Sequence, residues 1–378
     1  MNRRFLFLSA MALGAMWFHV WKRLLVPCGG SPTVQAGLLV VALGLFLLQV
    51  TVWLPVFGIE QRPRLRFWIY SSYGLMVALW FGAITNDIFV LTASLLMPRD
   101  ASWQVSLPYV AQALLFVTTV GNSIGIWTVR RGPIIRTVEV RLPNWPAALD
   151  GFRIAQISDL HVGPLIKADY VEDVVRKVQS LNPGLIAVTG DLGDGRVAKL
   201  RDDLVPLRQL RADHGVYYVT GNHEFYWNAH EWVDAARDCG MTVLHNEGRS
   251  IDLGAGSLWV GGVPDISASR FGAGFASEPA LAAPPSDLKP NAKVLLAHQP
   301  KSCFAAAAAG FDLMLCGHTH WGQTFPISLI VGWFNPYHRG LNQHGQMAVY
   351  VSAGTGFWGP PVRFGVAAEV TCVVLRSA

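Results

Sequence analysis

The sequence predicts an α/β sandwich of mixed sheets that follows an all-α transmembrane bundle. Apolar residues concentrate before residue 130, in runs that approach or exceed the roughly 20 residues needed to cross a bilayer. After residue 150, strand-type and helix-type apolar patterns alternate, which is typical of an α/β domain. Polar residues with metal-binding chemistry follow several of the predicted strands.

Residues 1–129 are predicted to be a transmembrane region of about four helices. The helices are predicted at 5–21, 34–57, 67–90 and 107–129. The first run is short and contains His19, and the third contains Asn86 and Asp87. Asp87 has two interpretations, a functional group within the membrane or a side chain near its interface, and we favour the interface.

Basic residues predict the orientation of these helices. With four spans, one side of the membrane carries eight arginines and the other carries three basic residues. The eight are Arg3, Arg4, Arg62, Arg64, Arg66, Arg130, Arg131 and Arg136, and the three are Lys22, Arg23 and Arg99. The positive-inside rule then places both termini in the cytoplasm, whereas three spans would reverse the result. We interpret Arg3 and Arg4 as topology anchors rather than a twin-arginine export signal, because no cleavage site is evident.

A juxtamembrane linker with a first strand is predicted at 130–150, and a folded domain at 151–378. Residues 136–378 carry a net charge of −2, whereas residues 1–135 carry +7. We expect no nucleic-acid partner, because such binding needs a basic surface on the folded domain. The five cysteines show no paired or metal-type spacing and are predicted to be free thiols, with Cys316 buried in a strand.

The elements of the folded part follow from apolar periodicity. Strands are predicted at 137–142, 152–158, 185–189, 216–220, 242–245, 250–253, 258–263, 294–297, 313–315, 347–352 and 366–374. Helices are predicted at 168–181, 197–211, 229–239 and 303–309. Strands and helices alternate in the first half, and strands dominate the second half, so mixed sheets are expected.

Five of the predicted strands run directly into polar residues. These are DLH at 159–161, GDLGD at 190–194, GNHE at 221–224, His298, and GHTH at 317–320. Because ligands collect at the carboxyl ends of strands in open α/β sheets, we expect these side chains to meet at one edge. The glycines at 190, 221 and 317 are predicted to allow a sharp exit and a close backbone approach. Carboxylate, imidazole and amide donors without thiolates suit Mn, Fe or Zn, and two such sets sharing a carboxylate would hold two ions.

These five motifs, in this order, resemble those of the calcineurin-like metallophosphoesterase superfamily over about residues 150–376. The resemblance implies a four-layer αββα sandwich, so that 151–378 would be the catalytic domain. The segment GFWGPPVRFG at 356–365 also looks like a branch of membrane-anchored bacterial phosphoesterases. Some members of that branch act on lipid-linked or nucleotide-lipid substrates. The implied location is a bacterial inner or plasma membrane, and the positive-inside rule predicts that the catalytic domain is cytoplasmic.

The resemblance also implies a role for individual residues, with two divalent ions as cofactors. Asp159, His161 and His320 would bind the first ion, Asn222, His298 and His318 the second, and Asp191 both. A metal-bridging hydroxide would be the nucleophile. His223 would donate a proton to the leaving oxygen, and Asp194 would orient His223.

Several polar residues also have an interpretation in which they serve only the structure. Asp194 could instead cap the following helix, and Glu224 could serve a local hydrogen bond. Asp265 is interpreted as a turn residue, and Thr319 as a spacer between two ligands. The remaining histidines of the domain match no ligand position; they are His214, His230, His245, His338 and His344. His338 and Arg339 lie where a substrate could reach them.

The leading functional interpretation is a metal-dependent phosphodiesterase or pyrophosphatase at the membrane. A protein phosphatase is disfavoured, because those members carry arginine directly after the second aspartate motif, where Gly195 stands here. A nuclease is disfavoured by the net negative charge of the domain. The alternative is a membrane sensor or scaffold that binds phosphoesters or a partner without turnover.

An uncharged apolar segment, Phe325–Phe334, follows the GHTH motif. It either covers a sheet or forms an exposed surface that faces the bilayer or an acyl chain. The second interpretation predicts that polar replacements in this segment spare the hydrolysis of a soluble diester but weaken the turnover of a lipid substrate. The residues to replace are Leu329, Ile330, Trp333 and Phe334.

Overall fold

Long apolar helices form the N-terminal part of the chain, as the sequence predicted. The computed structural model describes residues 3–51, 62–97, 102–272 and 276–378. The helices are α1 (Arg3–Val20), α2 (Val26–Cys28), α3 (Pro32–Val50), α4 (Pro63–Leu96) and α5 (Leu107–Arg130), with a π-helical stretch at Trp21–Leu25 and a 3₁₀ turn at Ser102–Ser106. Proline at the first position and a Ser31 hydroxyl that accepts the Val34 N–H start α3.

Three helices of the described part are long and apolar enough to cross a membrane. They are Pro32–Val50, Pro63–Leu96 and Trp103–Arg130. The predicted span at 5–21 is helical within α1 but is not one of the three, so the count of four spans stays a prediction. The end of the predicted span 34–57, Arg99 and the side chain of Arg3 lie outside the described residues.

Some polar side chains within this helical region contact one another. Asp87 lies 2.7 Å from His19 Nε2 and 2.6 Å from Arg23 Nε. The buried amide of Gln49 accepts the indole N–H of Trp17 at 2.8 Å. The Asp87 carboxylate on α4 therefore has two basic partners, one from α1 and one from the π-helical stretch. They offset the cost of placing a charge among apolar helices.

Two compact units divide the chain. One comprises Met1–Thr128 with Gly359–Phe364, and the other comprises Val129–Trp358 with Gly365–Ala378. Within the first unit, the N–H of Arg363 donates to the carbonyl of Gly125 at 3.0 Å. The domain boundaries drawn from the sequence, at 129/130 and 150/151, stay predictions.

The described part of the second unit contains two six-stranded sheets. The strands are β1 (Ile134–Leu142), β2 (Arg153–Ile157), β3 (Leu185–Thr189), β4 (Val216–Val219), β5 (Thr242–Val243), β6 (Glu247–Asp252), β7 (Ser257–Gly262), β8 (Ala292–Leu296), β9 (Leu313–Cys316), β10 (Gly340–His344), β11 (Met347–Val351) and β12 (Glu369–Ser377). The first sheet has the order β1-β12-β2-β3-β4-β5, and the second has the order β10-β11-β9-β8-β7-β6. Both sheets are mixed, because β12–β2, β10–β11 and β6–β7 are antiparallel and the other neighbours are parallel.

The two sheets pack face to face with helices on their outer surfaces. These helices and the shorter ones near the sheet edges are α6 (Ala168–Ser180), α7 (Val197–Leu204), α8 (Asn222–Trp227), α9 (Ala229–Asp238), α10 (Cys303–Ala308) and α11 (Ile327–Ile330). Ile154 and Leu185 of the first sheet share an apolar core with Val294 of the second. Helices α6, α7 and α9 cover the outer face of the first sheet, and α10 covers that of the second. The predicted four-layer αββα sandwich is confirmed.

Some elements differ from the predicted ones. The helix predicted at 197–211 ends at Leu204 and continues as a 3₁₀ turn, Val205–Gln209. Pro206 lies at the start of that turn, and a proline cannot donate the backbone hydrogen bond that the helix would need. Strand β10 and helix α8 were not predicted. The cysteines are free, and Cys316 is fully buried in β9, as expected.

Candidate metal centre

The loop after β2 carries Asp159 and His161 with an unusual backbone. Both residues have φ of 53°, in the left-handed region that costs a non-glycine residue about 1–3 kcal/mol. Two hydrogen bonds hold this loop in place. The N–H of Asp159 donates to the Gly190 carbonyl, and the N–H of His161 donates to the Asp191 carbonyl, both at 3.0 Å. The loops after β2 and β3 are therefore joined at the position of the first two predicted ligands.

Glycine is required where these loops approach one another. A Cβ atom at Gly190 would lie 2.5 Å from the Gly221 nitrogen and 2.8 Å from His298 Nδ1. A Cβ at Gly221 would overlap Asp191, and one at Gly317 would overlap Asp159. The close backbone approach predicted for these three glycines is confirmed.

Glu224 fastens the loop after β3 to the loop after β4. Its buried carboxylate accepts backbone N–H groups from Gly221 at 2.6 Å, Leu192 at 2.7 Å and Asp191 at 3.1 Å. Burial, followed by the charge of Asp191, raises the pKa of Glu224 to about 7. The local hydrogen-bonding role considered for Glu224 is confirmed, and it extends across two loops.

The candidate ligands form two groups at the carboxyl ends of strands from both sheets, rather than at one edge of a single sheet as predicted. Asp159, His161 and His320 form one group, and Asp191, His298 and His318 form another, each with donor atoms within 4.8 Å of one another. In the first group, His320 Nε2 lies 3.1 Å from His161 Nε2 and 3.4 Å from Asp159 Oδ1. In the second group, His298 Nε2 lies 3.2 Å from Asp191 Oδ2 and 3.2 Å from His318 Nδ1.

Asn222 and Asp191 complete this arrangement. Asn222 Oδ1 lies 3.1 Å from His298 Nε2, beside the second group. Asp191 Oδ2 lies 3.2 Å from His298 Nε2 and 3.8 Å from His161 Nε2, so it faces both groups. The structure thus brings together the seven residues that the sequence singled out as ligands.

The donor chemistry of the two groups fits divalent cations. The Nε2 atoms of His161 and His320 lie 3.1 Å apart, close enough for both to bind one ion. The Nδ1 atom of His298 lies 2.9 Å from the Thr189 carbonyl, which fixes the ring so that Nε2 faces Asp191. Metal-binding histidines are commonly oriented by such a contact. No thiolate belongs to these groups, which agrees with Mn, Fe or Zn rather than a structural zinc site.

Asp191 and His298 also stabilise one another electrostatically. Burial would raise the pKa of Asp191, but the adjacent imidazole of His298 outweighs it and holds that pKa well below its usual range. Burial would lower the pKa of His298, and the carboxylate of Asp191 holds it well above its ordinary value. A divalent cation would compete with protons for these same carboxylate and imidazole atoms.

His223 and Asp194 form a pair beside the two groups. His223 Nδ1 lies 3.2 Å from Asp194 Oδ1, and the Trp227 indole N–H donates to the same oxygen at 3.0 Å. Burial lowers the pKa of His223, but the hydrogen bond with Asp194 and the charge of Asp191 outweigh it, so the pKa is raised. Asp194 does not cap α7, because the residue at that cap position is Arg196.

Aromatic rings surround His223, and the contacts of two of them, Tyr226 and Trp358, were not predicted from the sequence. The ring centroid of His161 lies 4.7 Å from that of His223, Tyr226 lies at 5.1 Å and Trp358 at 6.0 Å. Tyr226 could have been suspected, since it lies three residues after His223 on one helix. Trp358 lies in the segment 356–365 that resembles membrane-anchored phosphoesterases, but nothing in the sequence indicated its contact with His223.

The other polar residues behave as structural groups. Asp265 Oδ1 accepts the N–H of Ser267 at 2.8 Å, which is the predicted turn role, and it also accepts the Gln299 amide at 3.1 Å. Among the described residues, three sets of side chains could hold a metal ion, the third being His161, Asp194 and His223, and the five remaining domain histidines belong to none of them. Thr319 is more than a spacer, because its hydroxyl donates to the His338 carbonyl at 2.8 Å.

Comparison with known proteins gives a consistent result. A family model described as calcineurin-like phosphoesterase matches residues 152–322. A "Transmembrane protein with metallophosphoesterase domain" from Bos taurus is 31% identical over 98% of this chain and 88% of its own length. The protein of the same description from Danio rerio is 30% identical over 98% and 88%. An uncharacterized metallophosphoesterase of Campylobacter jejuni is 29% identical over 81% of this chain and 80% of its own.

Proposed function

The chain belongs to the calcineurin-like phosphoesterase family, and we propose that it is a membrane-anchored hydrolase that cleaves phosphodiester or pyrophosphate bonds with two divalent ions. The membrane anchor is supported by three helices of sufficient length and apolarity and by relatives named as transmembrane proteins. The position of Asp191 Oδ2, within 3.8 Å of nitrogens from both ligand groups, is the observation that carries the use of two ions.

We assign the ligands to two ions that share one carboxylate. Asp159, His161 and His320 would hold one ion, Asn222, His298 and His318 the other, and Asp191 both. When bound, divalent ions neutralise phosphoryl charge and lower the pKa of a water. The donor set supports Mn, Fe or Zn as the metal.

His223 is proposed to protonate the leaving oxygen. Its Nδ1 atom is held by Asp194, which leaves Nε2 to face the centre at 3.9 Å from Asp191 Oδ2. An imidazolium in this position carries its transferable proton on Nε2, and a group within hydrogen-bond reach of the leaving oxygen can act as general acid. Asp194 keeps the ring oriented and favours its protonated form.

The proposed substrate is a diester or pyrophosphate, with a lipid-linked group on one side of the phosphate. A diester carries less negative charge than a phosphomonoester and needs fewer cationic groups, which suits a domain of net charge −2. Exposed apolar side chains follow the candidate ligand His320 by a few residues, at Phe325 and Leu329, and they suit an apolar substrate group.

Hydrolysis of a chromogenic aryl phosphodiester by the full-length protein in detergent tests this proposal. We expect turnover with added Mn²⁺, and loss of turnover in Asp191→Asn and His223→Ala. Absence of turnover with every divalent metal tested would overturn the proposal. Binding of the diester without hydrolysis would indicate the sensor or scaffold alternative. A panel of lipid and nucleotide-lipid substrates, with products identified by mass spectrometry, then tests the substrate class.

The bacterial inner membrane and a cytoplasmic catalytic domain are also proposed. The orientation rests on the eight-to-three distribution of basic residues, which assumes four spans. A fluorescent protein fused to the C-terminus should fluoresce if this end is cytoplasmic. An active alkaline phosphatase fused at the same position would place the C-terminus on the other side and overturn the proposed orientation.

A further inference from the structure

The segment from Trp321 to Tyr337 is an uncharged excursion of the chain between β9 and β10 of the second sheet. Seventeen consecutive residues contain no Asp, Glu, Lys or Arg. Its two ends are joined beside the candidate metal centre, because the Thr319 hydroxyl donates to the His338 carbonyl at 2.8 Å. The excursion therefore begins and ends next to Thr319, which lies between His318 and His320.

Hydrogen bonds within the excursion give it a defined shape. The N–H of Ser328 donates to the Thr324 carbonyl at 3.0 Å, and the N–H of Leu329 donates to the Pro326 carbonyl at 2.9 Å. At its start, the side chain of Gln323 forms two 2.9 Å hydrogen bonds with the backbone of Trp358. These contacts hold the backbone in place without using the apolar side chains.

The apolar side chains of the excursion point into solvent instead of a core. The exposed fraction is 53% for Phe325, 64% for Leu329, 80% for Trp333 and 69% for Phe334. Ile330, which the sequence grouped with them, is half-buried. A segment that covered a sheet would bury such residues, so the sheet-covering interpretation does not account for them.

We propose that the part of this excursion from Phe325 to Phe334 docks on the lipid bilayer and inserts its exposed side chains at the boundary between headgroups and acyl chains. The chain itself supplies the reason for choosing a bilayer. It contains three helices able to span a membrane, so the domain remains tethered next to lipid. Apolar segments of this kind bury to about 5–10 Å at the interface, where tryptophan is favoured.

Charge at the base of the excursion agrees with a lipid surface. The segment is followed by His338 and the exposed Arg339, which can meet anionic headgroups while the uncharged part enters the apolar layer. Docking at this point would bring lipid next to His318 and His320. The inference stands apart from the proposed hydrolysis, because it rests on exposure and charge and not on turnover.

Quenching by spin-labelled lipid tests the proposal on the full-length chain. Bimane is attached at Leu329→Cys in a Cys28→Ser background, since the other four cysteines are buried. The protein is placed, one copy per disc, in nanodiscs of phosphatidylcholine and phosphatidylglycerol that contain doxyl lipids labelled near the headgroup. The matched control carries the label at Ser250→Cys, an exposed position on β6.

We expect the label at residue 329 to be quenched several-fold more than the label at residue 250. Adding Trp333→Ser and Phe334→Ser should reduce quenching at residue 329 toward the control. Equal quenching at the two positions would overturn the proposal, since the segment would then remain in water. In a second preparation with two copies per disc, a blue shift without lipid quenching that is absent with one copy would also overturn it, by identifying a second copy as the occupant. Neither readout depends on catalysis.

Discussion

The guanidinium carbon of Arg136 lies 5.0 Å from the centroid of the Trp321 ring. Arg136 also pairs with the buried carboxylate of Glu369, with Nε 2.5 Å from Oε2. Trp321 directly follows His320, and its indole N–H donates to the Val351 carbonyl at 2.8 Å. The first strand of the domain therefore supports the loop that carries one of the candidate ligands.

Replacement of Arg136 by alanine should weaken metal binding at the group that contains His320. A cation–π contact contributes about 0.5–2 kcal/mol, which corresponds to roughly a 2- to 30-fold change in a dissociation constant. Isothermal titration of the full-length protein with Mn²⁺ measures this change. Arg136→Lys should retain part of the affinity, because lysine keeps the positive charge.

Two controls separate this effect from general destabilisation. Arg136→Ala leaves a buried carboxylate unpaired, which is costly in itself, so Arg136→Ala with Glu369→Gln removes the charge as well. Arg141→Ala alters an exposed arginine on the same strand. If the double variant and the Arg141 control bind Mn²⁺ as the unaltered protein does, Arg136 has no role in holding the loop.

Replacement of Glu224 by alanine should destabilise the second unit, which contains the candidate metal centre. Each buried N–H that loses its acceptor costs about 1–3 kcal/mol, and Glu224 accepts several from two loops. Glu224→Gln keeps one carbonyl oxygen and should lose less. The thermal unfolding midpoint of the full-length protein measures the change, with Glu172→Ala on the exposed side of α6 as control. A midpoint for Glu224→Ala equal to that of the control would contradict this role.

Replacement of Asp194 by asparagine should move the alkaline limb of the pH profile to lower pH. The hydrogen bond and charge of Asp194 raise the pKa of His223, so their removal lowers it. A general acid must be protonated, and activity is lost as pH rises through its pKa. That loss should begin at lower pH in Asp194→Asn. The exposed carboxylate of Asp213 provides the control, and a profile that keeps its alkaline limb in Asp194→Asn would argue against His223 as the acid.

The sequence allowed a prediction that several strand ends lie close together. Apolar runs mark the buried strands, and the polar residues that follow parallel strands lie at one sheet edge. On this basis the polar strand ends were predicted to meet at one edge, but the structure draws them from both sheets. The grouping of Asp159 with His320 came from the family resemblance. Boundaries were less predictable where polar residues form a strand, as in β10, or where Pro206 changes the helix type.

The sequence could not reveal the contacts that orient the site. Asp191 and His318 have positive φ values of 51° and 69°, which no local preference of Asp or His dictates. The contact of Trp358 with His223 and that of Arg136 with Trp321 depend on tertiary packing between distant segments. Thr319 resembled a spacer because its hydrogen-bond partner lies nineteen residues away.

The number of metal ions per chain tests the central claim, that Asp191 is shared by two ions, most directly. Full-length protein is equilibrated with Mn²⁺, freed of unbound metal and analysed by inductively coupled plasma mass spectrometry. We expect two ions per chain. Asn222→Ala should retain one, and Asp191→Ala should lose affinity for both. A single ion in the unaltered protein, or two ions retained in Asp191→Ala, would contradict the shared centre.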